Sequence, residues 1–149
     1  MAGAALPLPA LAQSEPVILS VSGQIQATRT FTLPQLKALG VTQLTTSTAW
    51  TEGVSEFEGV LARQVIAELG PISSSHVMAL ALNDYRADIP LSDFHDYDVL
   101  FAWSMDGRQL TRRDKGPLWI VYPRDAVPQL REERYEHRWV WQLSRLILP

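Results

Sequence analysis

Short apolar or β-branched runs, separated by turn residues, dominate the chain and predict strands along most of its length. Residues 24–31 alternate polar and apolar side chains, which is typical of a half-exposed strand. Residues 41–48 are rich in threonine, a β-branched residue that favours strands. Further strands are predicted at the runs 17–21, 76–82, 99–104, 118–122 and 139–148. In the run 139–148, the residues on both faces of the predicted strand include apolar side chains, so we expect this strand to be largely buried.

Two short amphipathic segments predict helices. Thr32 is a suitable N-cap, Pro34 fits the first turn, and leucines recur with helical spacing until Gly40. A second helix is predicted over residues 61–69, because apolar residues fall on one face and Gly70 follows as a stop. Both helices are short.

Two further helical turns are predicted, one after a strand end at residues 88–93 and one at residues 128–133. Strands outnumber helices, so the expected fold class is α+β, mainly β, with sheets packed on each other. No repeat or domain boundary appears within residues 13–149, and we expect these residues to form one domain.

The composition fits a globular domain and excludes some functions. The 149 residues are 46% apolar and carry a net charge of −3, with no basic stripe that would suit a nucleic acid. No apolar run approaches the roughly 18 residues of a membrane-spanning helix. The chain has no cysteine, which excludes disulfides, cysteine nucleophiles and thiolate metal ligands from the protein itself.

The start of the chain resembles the end of a secretory signal peptide. Residues 1–12 are small and apolar and close with an A-x-A pattern before polar residues. The first basic residue is Arg29, so the usual positive region is missing. We expect an exported protein, periplasmic or secreted, whose mature form begins near Gln13; the alternative is an Ala/Pro-rich tail.

Residues 81–123 combine two strand-like runs with polar and charged residues, and are the candidate site-bearing unit. Asn83, Asp84 and Tyr85 follow a buried run, and the Tyr85 phenol is able to donate to an anion. Basic residues cluster at 112–115, and arginine forks suit oxyanions. Each feature has a structural alternative, namely a turn closed by side chains and a solvated hairpin loop.

The tryptophans and histidines are interpreted mainly as packing or surface residues. Trp50 is the exception, because it lies in a predicted loop whereas the other tryptophans lie in predicted strands, and we expect it to form a pocket wall. His76, His95 and His137 lack the spacing of a helical metal site. No G-x-S-x-G motif or glycine-rich phosphate loop occurs.

Taken in order, the segments resemble the molybdopterin-binding domain of the sulfite oxidase family over most of residues 17–148. The resemblance implies that family's fold, with mixed sheets and short helices. The family patterns matched are the opening hairpin with its T-L-x-x-L helix (17–36), W-x-G-V-x-L-x-x-L-L (57–66), G-Y-x-x-x-x-P-L (83–91), L-L-A-Y-x-M-N-G-x-P-L (100–110), G-x-P-x-R-L-V-V-P (116–123) and V-K-W-L-x-x-I (138–146).

The departures from the family concern its metal site. The family's molybdenum-ligating cysteine follows the strand that corresponds to residues 41–48, but here residues 45–50 read TTSTAW. A hydroxyl cannot replace a soft thiolate without changing the metal chemistry. Trp119 stands where the family has an arginine, whereas Tyr85 matches the tyrosine that lines the family's substrate pocket.

These observations favour an exported, non-catalytic domain that binds a small anionic ligand or a periplasmic protein partner. We expect no catalytic residue, no metal ligand and no cofactor. One alternative is a molybdopterin-binding oxidoreductase in which non-protein ligands complete the coordination of the metal. In that case the residues near the cofactor phosphate would be Arg112, Arg113, Lys115 and Arg138. Another is a protein-binding surface at residues 131–138. The predicted ligand-binding residues are Trp50, Asn83, Asp84, Tyr85, Arg113, Lys115 and Tyr122.

Overall fold

A computed structural model of the protein describes residues 15–149. The signal-peptide-like segment predicted at residues 1–12 lies outside the described residues. Within residues 15–149, ten strands form two sheets. The strands are β1 (Val17–Gly23), β2 (Arg29–Thr32), β3 (Thr42–Ser47), β4 (Val54–Leu61), β5 (His76–Ala81), β6 (Arg86–Pro90), β7 (Leu100–Met105), β8 (Arg108–Gln109), β9 (Trp119–Val121) and β10 (Leu143–Leu148).

The first sheet has the strand order β2-β1-β10-β5-β6 and is mixed. β1 and β10 run parallel, with Ser20 opposite Arg145, whereas the other neighbours are antiparallel. This sheet brings the first and last strands of the described chain together at its centre. Its β5–β6 hairpin ends in the turn that contains Tyr85.

The second sheet has the order β3-β4-β7-β8, and β9 also pairs with β7. Gly59 in β4 lies at a register shift opposite β7. A Cβ atom at this position would lie 2.1 Å from the carbonyl oxygen of Phe101. The close approach of these two central strands therefore requires glycine at position 59.

Within the described residues, three short α-helices and two 3₁₀-helices connect the strands. They are α1 (Leu33–Leu39), α2 (Ala62–Ala67), α3 (Leu91–Asp96) and the 3₁₀-helices Pro128–Arg131 and Glu133–Arg138. As predicted, Thr32 caps α1; its hydroxyl accepts from the Gln35 backbone N–H while the Gln35 side chain accepts from the Thr32 N–H. No helix in residues 15–149 has the length and apolar character needed to cross a membrane.

One buried cluster joins the two sheets. Its largest fully buried side chains include Phe57, Phe94, Phe101, Trp119 and Tyr122. The mixed sheets and short helices confirm the expected α+β, mainly β class.

Several strand predictions differ from the structure. Residues 24–31 were predicted as one strand, but only Arg29–Thr32 form β2. The last strand begins at Leu143 rather than at residue 139, because Gln142 has a positive φ of 53° that breaks an extended run. Trp141 forms only an isolated bridge with Trp119. The eight-residue strand β4, which precedes the second helix, was not predicted. Exposed and buried positions alternate over residues 54–57 of this strand.

Candidate ligand-binding site

An aromatic cavity of about 270 Å³ lies where three irregular segments meet. We call it the tryptophan cavity. The segments are the loop after β3, the β5–β6 turn and the chain from the second 3₁₀-helix to β10. The lining residues are Trp50, Asn83, Tyr85, Glu136, His137, Trp139 and Trp141.

The β5–β6 turn places two lining residues by local hydrogen bonds. The Asn83 side-chain oxygen accepts from the Tyr85 backbone N–H at 3.1 Å, which closes an Asx-turn. Asp84 adopts a positive φ of 67°, a conformation that Asp tolerates better than most residues. The Tyr85 hydroxyl donates to the backbone carbonyl of His137 at 2.9 Å. This bond joins the turn to the second 3₁₀-helix across the cavity.

Trp50 is fixed from the opposite side by the loop after β3. The Thr48 hydroxyl accepts from the Trp50 backbone N–H at 3.0 Å and lies 2.7 Å from the Thr51 hydroxyl. Ahead of this turn, Asp125 accepts from the Ser47 backbone N–H at 2.8 Å and from its hydroxyl at 2.6 Å. The loop is therefore tied to the segment that follows β9.

Three tryptophans line the cavity and pack on a fourth. The Trp50 ring centroid lies 5.6 Å from those of Trp139 and Trp141, with interplanar angles of 52° and 90°. Trp119 is buried beneath them and its indole N–H donates to the carbonyl of Trp139 at 3.3 Å. The inclined ring planes form a corner rather than a stack.

A buried polar network supports the second 3₁₀-helix from behind. One carboxylate oxygen of Asp93 accepts from the Arg138 guanidinium and from the Tyr122 hydroxyl, each at 2.7 Å. Burial and the adjacent Asp93 carboxylate raise the pKa of Tyr122 well above its ordinary value. Tyr122 is thus a neutral hydrogen-bond donor inside the protein.

Three of the predicted site residues, Trp50, Asn83 and Tyr85, lie together in the cavity lining. Asp84 forms the adjoining turn. Lys115 lies behind the lining, with its ammonium 5.6 Å from the ring centroids of both Trp119 and Trp141.

Four of the seven predicted site residues do not line the cavity: besides Asp84 and Lys115, they are Arg113 and Tyr122. Arg113 is exposed in the loop between β8 and β9. Tyr122 is fully buried and donates to Asp93 rather than facing the cavity. The structure therefore brings only part of the predicted set together.

Sequence reasoning missed four lining residues. Glu136 and His137 were interpreted as part of a charged surface segment, and Trp139 and Trp141 as members of a strand. They meet Tyr85 in the cavity although Tyr85 and His137 are 52 residues apart in the sequence. The one available signal was that Trp139 and Trp141 lie two positions apart beside a charged segment. That spacing is also typical of an ordinary strand.

A groove larger than the tryptophan cavity lies elsewhere in the structure and is less suited to a specific ligand. It is a groove of about 920 Å³ between α2, α3 and the segment before β5. Arg63 on its wall is paired with Asp98 at 2.7 Å. His76 and His95 line it, but no Trp, Tyr or Phe does, so the smaller tryptophan cavity is the better candidate for specific binding.

The chain belongs to the oxidoreductase molybdopterin-binding domain family, whose model matches residues 5–127. Among solved structures, it is similar to the sulfane dehydrogenase SoxCD from Paracoccus pantotrophus, with a TM-score of 0.66 and 20% sequence identity. That match covers 87% of this chain and 37% of the SoxCD chain. No curated protein sequence gives a significant match. The resemblance to the sulfite oxidase family and its fold is thereby confirmed.

The residues present do not fit a molybdenum centre that needs a protein thiolate. The chain has no cysteine. In the loop where the family pattern places the ligand, the Thr48 hydroxyl is engaged by Trp50 and Thr51. Within residues 15–149, no group of three or more His, Cys, Asp or Glu side chains is arranged to hold a metal.

Proposed function

We propose that this domain is a binding module that takes one small ligand in the tryptophan cavity and performs no thiolate-dependent molybdenum chemistry. The observation that carries the proposal is the convergence of Trp50, Tyr85, Trp139 and Trp141 from three segments onto one concave space. Ligand sites are typically concave, mostly apolar and equipped with a few polar groups. Here the polar groups are Asn83 and the residues of the second 3₁₀-helix.

The exposure of two aromatic residues supports this proposal. Trp50 is 36% exposed and Tyr85 is 46% exposed, although both adjoin the buried aromatic cluster. Each ring leaves apolar surface in water that a ligand would cover, and burial is worth about 25 cal/mol per Å² of apolar area. The cavity volume of about 270 Å³ suits a ligand of few heavy atoms.

The test is a binding screen that reads out the cavity itself. The full chain is titrated with single-ring and small aliphatic fragments of both charges, and tryptophan fluorescence and protein NMR shifts are recorded. We expect at least one fragment to perturb Trp50 and Trp141 signals together. Trp50→Ala should abolish that response, whereas Val41→Ala, at a position 54% exposed before the opposite end of β3, should preserve it. A response unaffected by Trp50→Ala places binding elsewhere and overturns the proposal.

Export to the periplasm or beyond is part of the same proposal. It rests on the A-x-A pattern at residues 10–12. Intact mass measurement of the protein recovered from a fractionated host should show a chain that begins near Gln13. Recovery from the cytoplasmic fraction with residues 1–12 still attached contradicts export.

A second candidate function is a molybdopterin-binding oxidoreductase with non-protein ligands at the metal, and family membership favours it. Of the basic residues suggested for the cofactor phosphate, Arg138 is paired with Asp93 at 2.7 Å and Lys115 lies 3.8 Å from Asp114. Expression with a cofactor supply, followed by elemental analysis and a fluorescent pterin assay, separates the two functions. Stoichiometric molybdenum or pterin favours the oxidoreductase.

A further inference from the structure

The charge of the cavity lining is acidic rather than basic. Of the seven lining residues, Glu136 carries a carboxylate and none is Lys or Arg. Among the ion pairs within residues 15–149, Glu136 takes part in none. Arg113 and Lys115, which favoured an anionic ligand, lie outside the lining. The lining therefore offers a counter-charge to a cation.

The tryptophan cluster already interacts with one cation. The Lys115 ammonium lies 5.6 Å from the ring centroids of both Trp119 and Trp141. That distance is within the roughly 6 Å at which a ring face attracts a cation. Asp114, 3.8 Å away, offsets the Lys115 charge, and the exposed charges on either side of Tyr85, Asp84 and Arg86, have opposite signs. The lysine therefore does not make the surroundings of the cavity basic.

The hydrogen-bond acceptors of the lining distinguish among cations. The Asn83 side-chain oxygen already accepts from Tyr85, and the His137 carbonyl accepts from the Tyr85 hydroxyl. A primary ammonium carries three N–H donors that all need acceptors when buried, and the Glu136 carboxylate is the one anionic acceptor among the seven lining residues. A fully methylated ammonium has none, and its methyl groups suit aromatic walls.

We propose that the tryptophan cavity binds a small organic cation with a quaternary ammonium head. The head lies against the faces of Trp50, Trp139 and Trp141, and Glu136 supplies the counter-charge. This inference rests on the proposed function, because it specifies the ligand class of the same cavity.

The experiment compares choline with dimethylbutanol, its carbon isostere, in which carbon replaces the charged nitrogen. Both are titrated into the full chain, and binding is followed by tryptophan fluorescence and calorimetry. We expect choline to bind about tenfold more tightly than the isostere, since cation–π attraction and Glu136 act only on the charged probe. Comparable binding of the two probes overturns the cation inference while leaving the proposed cavity intact.

Charge variants test the role of Glu136. Glu136→Gln should weaken choline binding several-fold and leave dimethylbutanol binding unchanged. Glu133→Gln, on the same 3₁₀-helix but outside the lining, is the matched control and should change neither. Lys115→Met should strengthen choline binding, because it removes a like charge behind the ring of Trp141. Equal weakening of both probes by Glu136→Gln contradicts the counter-charge role.

The two proposals fail in different ways. If a neutral or anionic fragment binds and Trp50→Ala abolishes that binding, while choline does not bind, the cavity is a ligand site of another class. If no probe or fragment perturbs the cavity tryptophans, both proposals are wrong. Far-UV circular dichroism and thermal midpoints of every variant confirm that the fold is retained.

Discussion

The Arg138 guanidinium and the Asp93 carboxylate meet at 2.7 Å, with side chains only 16% and 8% exposed. The same carboxylate oxygen accepts from Tyr122. One atom of Asp93 thereby joins α3, the segment after β9 and the 3₁₀-helix that presents Glu136. The stability of the fold and the placement of a cavity wall thus depend on a single buried carboxylate.

Removal of that carboxylate should destabilise the protein strongly. Asp93→Ala leaves the charge of Arg138 buried without a partner, and loss of one member of a buried pair costs about 3–5 kcal/mol. Urea unfolding measures the change. Asp88→Ala, which breaks the exposed pair with His76, is the control and should cost less than about 1 kcal/mol. Similar losses for the two variants contradict the role of burial.

The Tyr85 hydroxyl should matter more for binding than for folding. Tyr85→Phe removes the bond to the His137 carbonyl, and loss of such a bond costs about 0.5–1.5 kcal/mol of stability. It also frees the His137 carbonyl and loosens one cavity wall, so we expect weaker binding of the cavity probe. Tyr97→Phe loses a comparable bond to Gln129 outside the cavity. Calorimetry should show altered affinity for Tyr85→Phe alone.

Acid should weaken the attachment of the Trp50 loop. Hydrogen bonds from Ser47 hold the pKa of Asp125 below its ordinary value. The unfolded carboxyl takes up a proton near pH 4, whereas folded Asp125 keeps its charge to lower pH. Its contribution is complete above the unfolded pKa and is lost as the pH falls through the folded pKa.

The variant Asp125→Asn checks this contribution. It should lower the free energy of unfolding at neutral pH by about 1–2 kcal/mol, because charged hydrogen bonds are lost. The difference from the native chain should shrink as the pH falls below about 4. Urea unfolding of both proteins at several pH values measures this difference. A difference that stays constant into strong acid contradicts the role given to the Asp125 carboxylate.

Gly59 should tolerate no side chain. Gly59→Ala forces a Cβ atom to 2.1 Å from the Phe101 carbonyl oxygen, so β4 and β7 must separate. Overpacking of this kind costs about 1–3 kcal/mol. Gly53→Asn is the control, because the space there is open and Asn tolerates its positive φ of 64°. Thermal unfolding should distinguish the two; equal midpoints contradict the close approach.

Much of the scaffold is predictable because its signals are local. The apolar runs 76–82, 99–104 and 118–122 correspond to β5, β7 and β9, since a buried strand needs only a short apolar segment. The cap at Thr32 is likewise readable from neighbouring residues. The positive φ of Gln142 could not be predicted, because glutamine is not a residue that indicates this conformation.

The cavity was predictable only in part, because its walls come from distant segments. Resemblance to a known family pointed to Tyr85, and loop position pointed to Trp50. Glu136 belongs to a segment with many surface charges, and nothing local distinguishes it from Glu132 or Glu133. The charge of the lining, which decides the ligand class, therefore emerged only from tertiary structure.

Most walls of the tryptophan cavity belong to turns and 3₁₀ structure rather than to paired strands. Substitutions in such segments have little effect on the stability of the sheets beneath them. A lineage built on this scaffold can therefore change the compound it recognises by altering a few wall residues. The same separation makes the domain a starting point for sensors, in which a library of wall variants is selected against a chosen analyte.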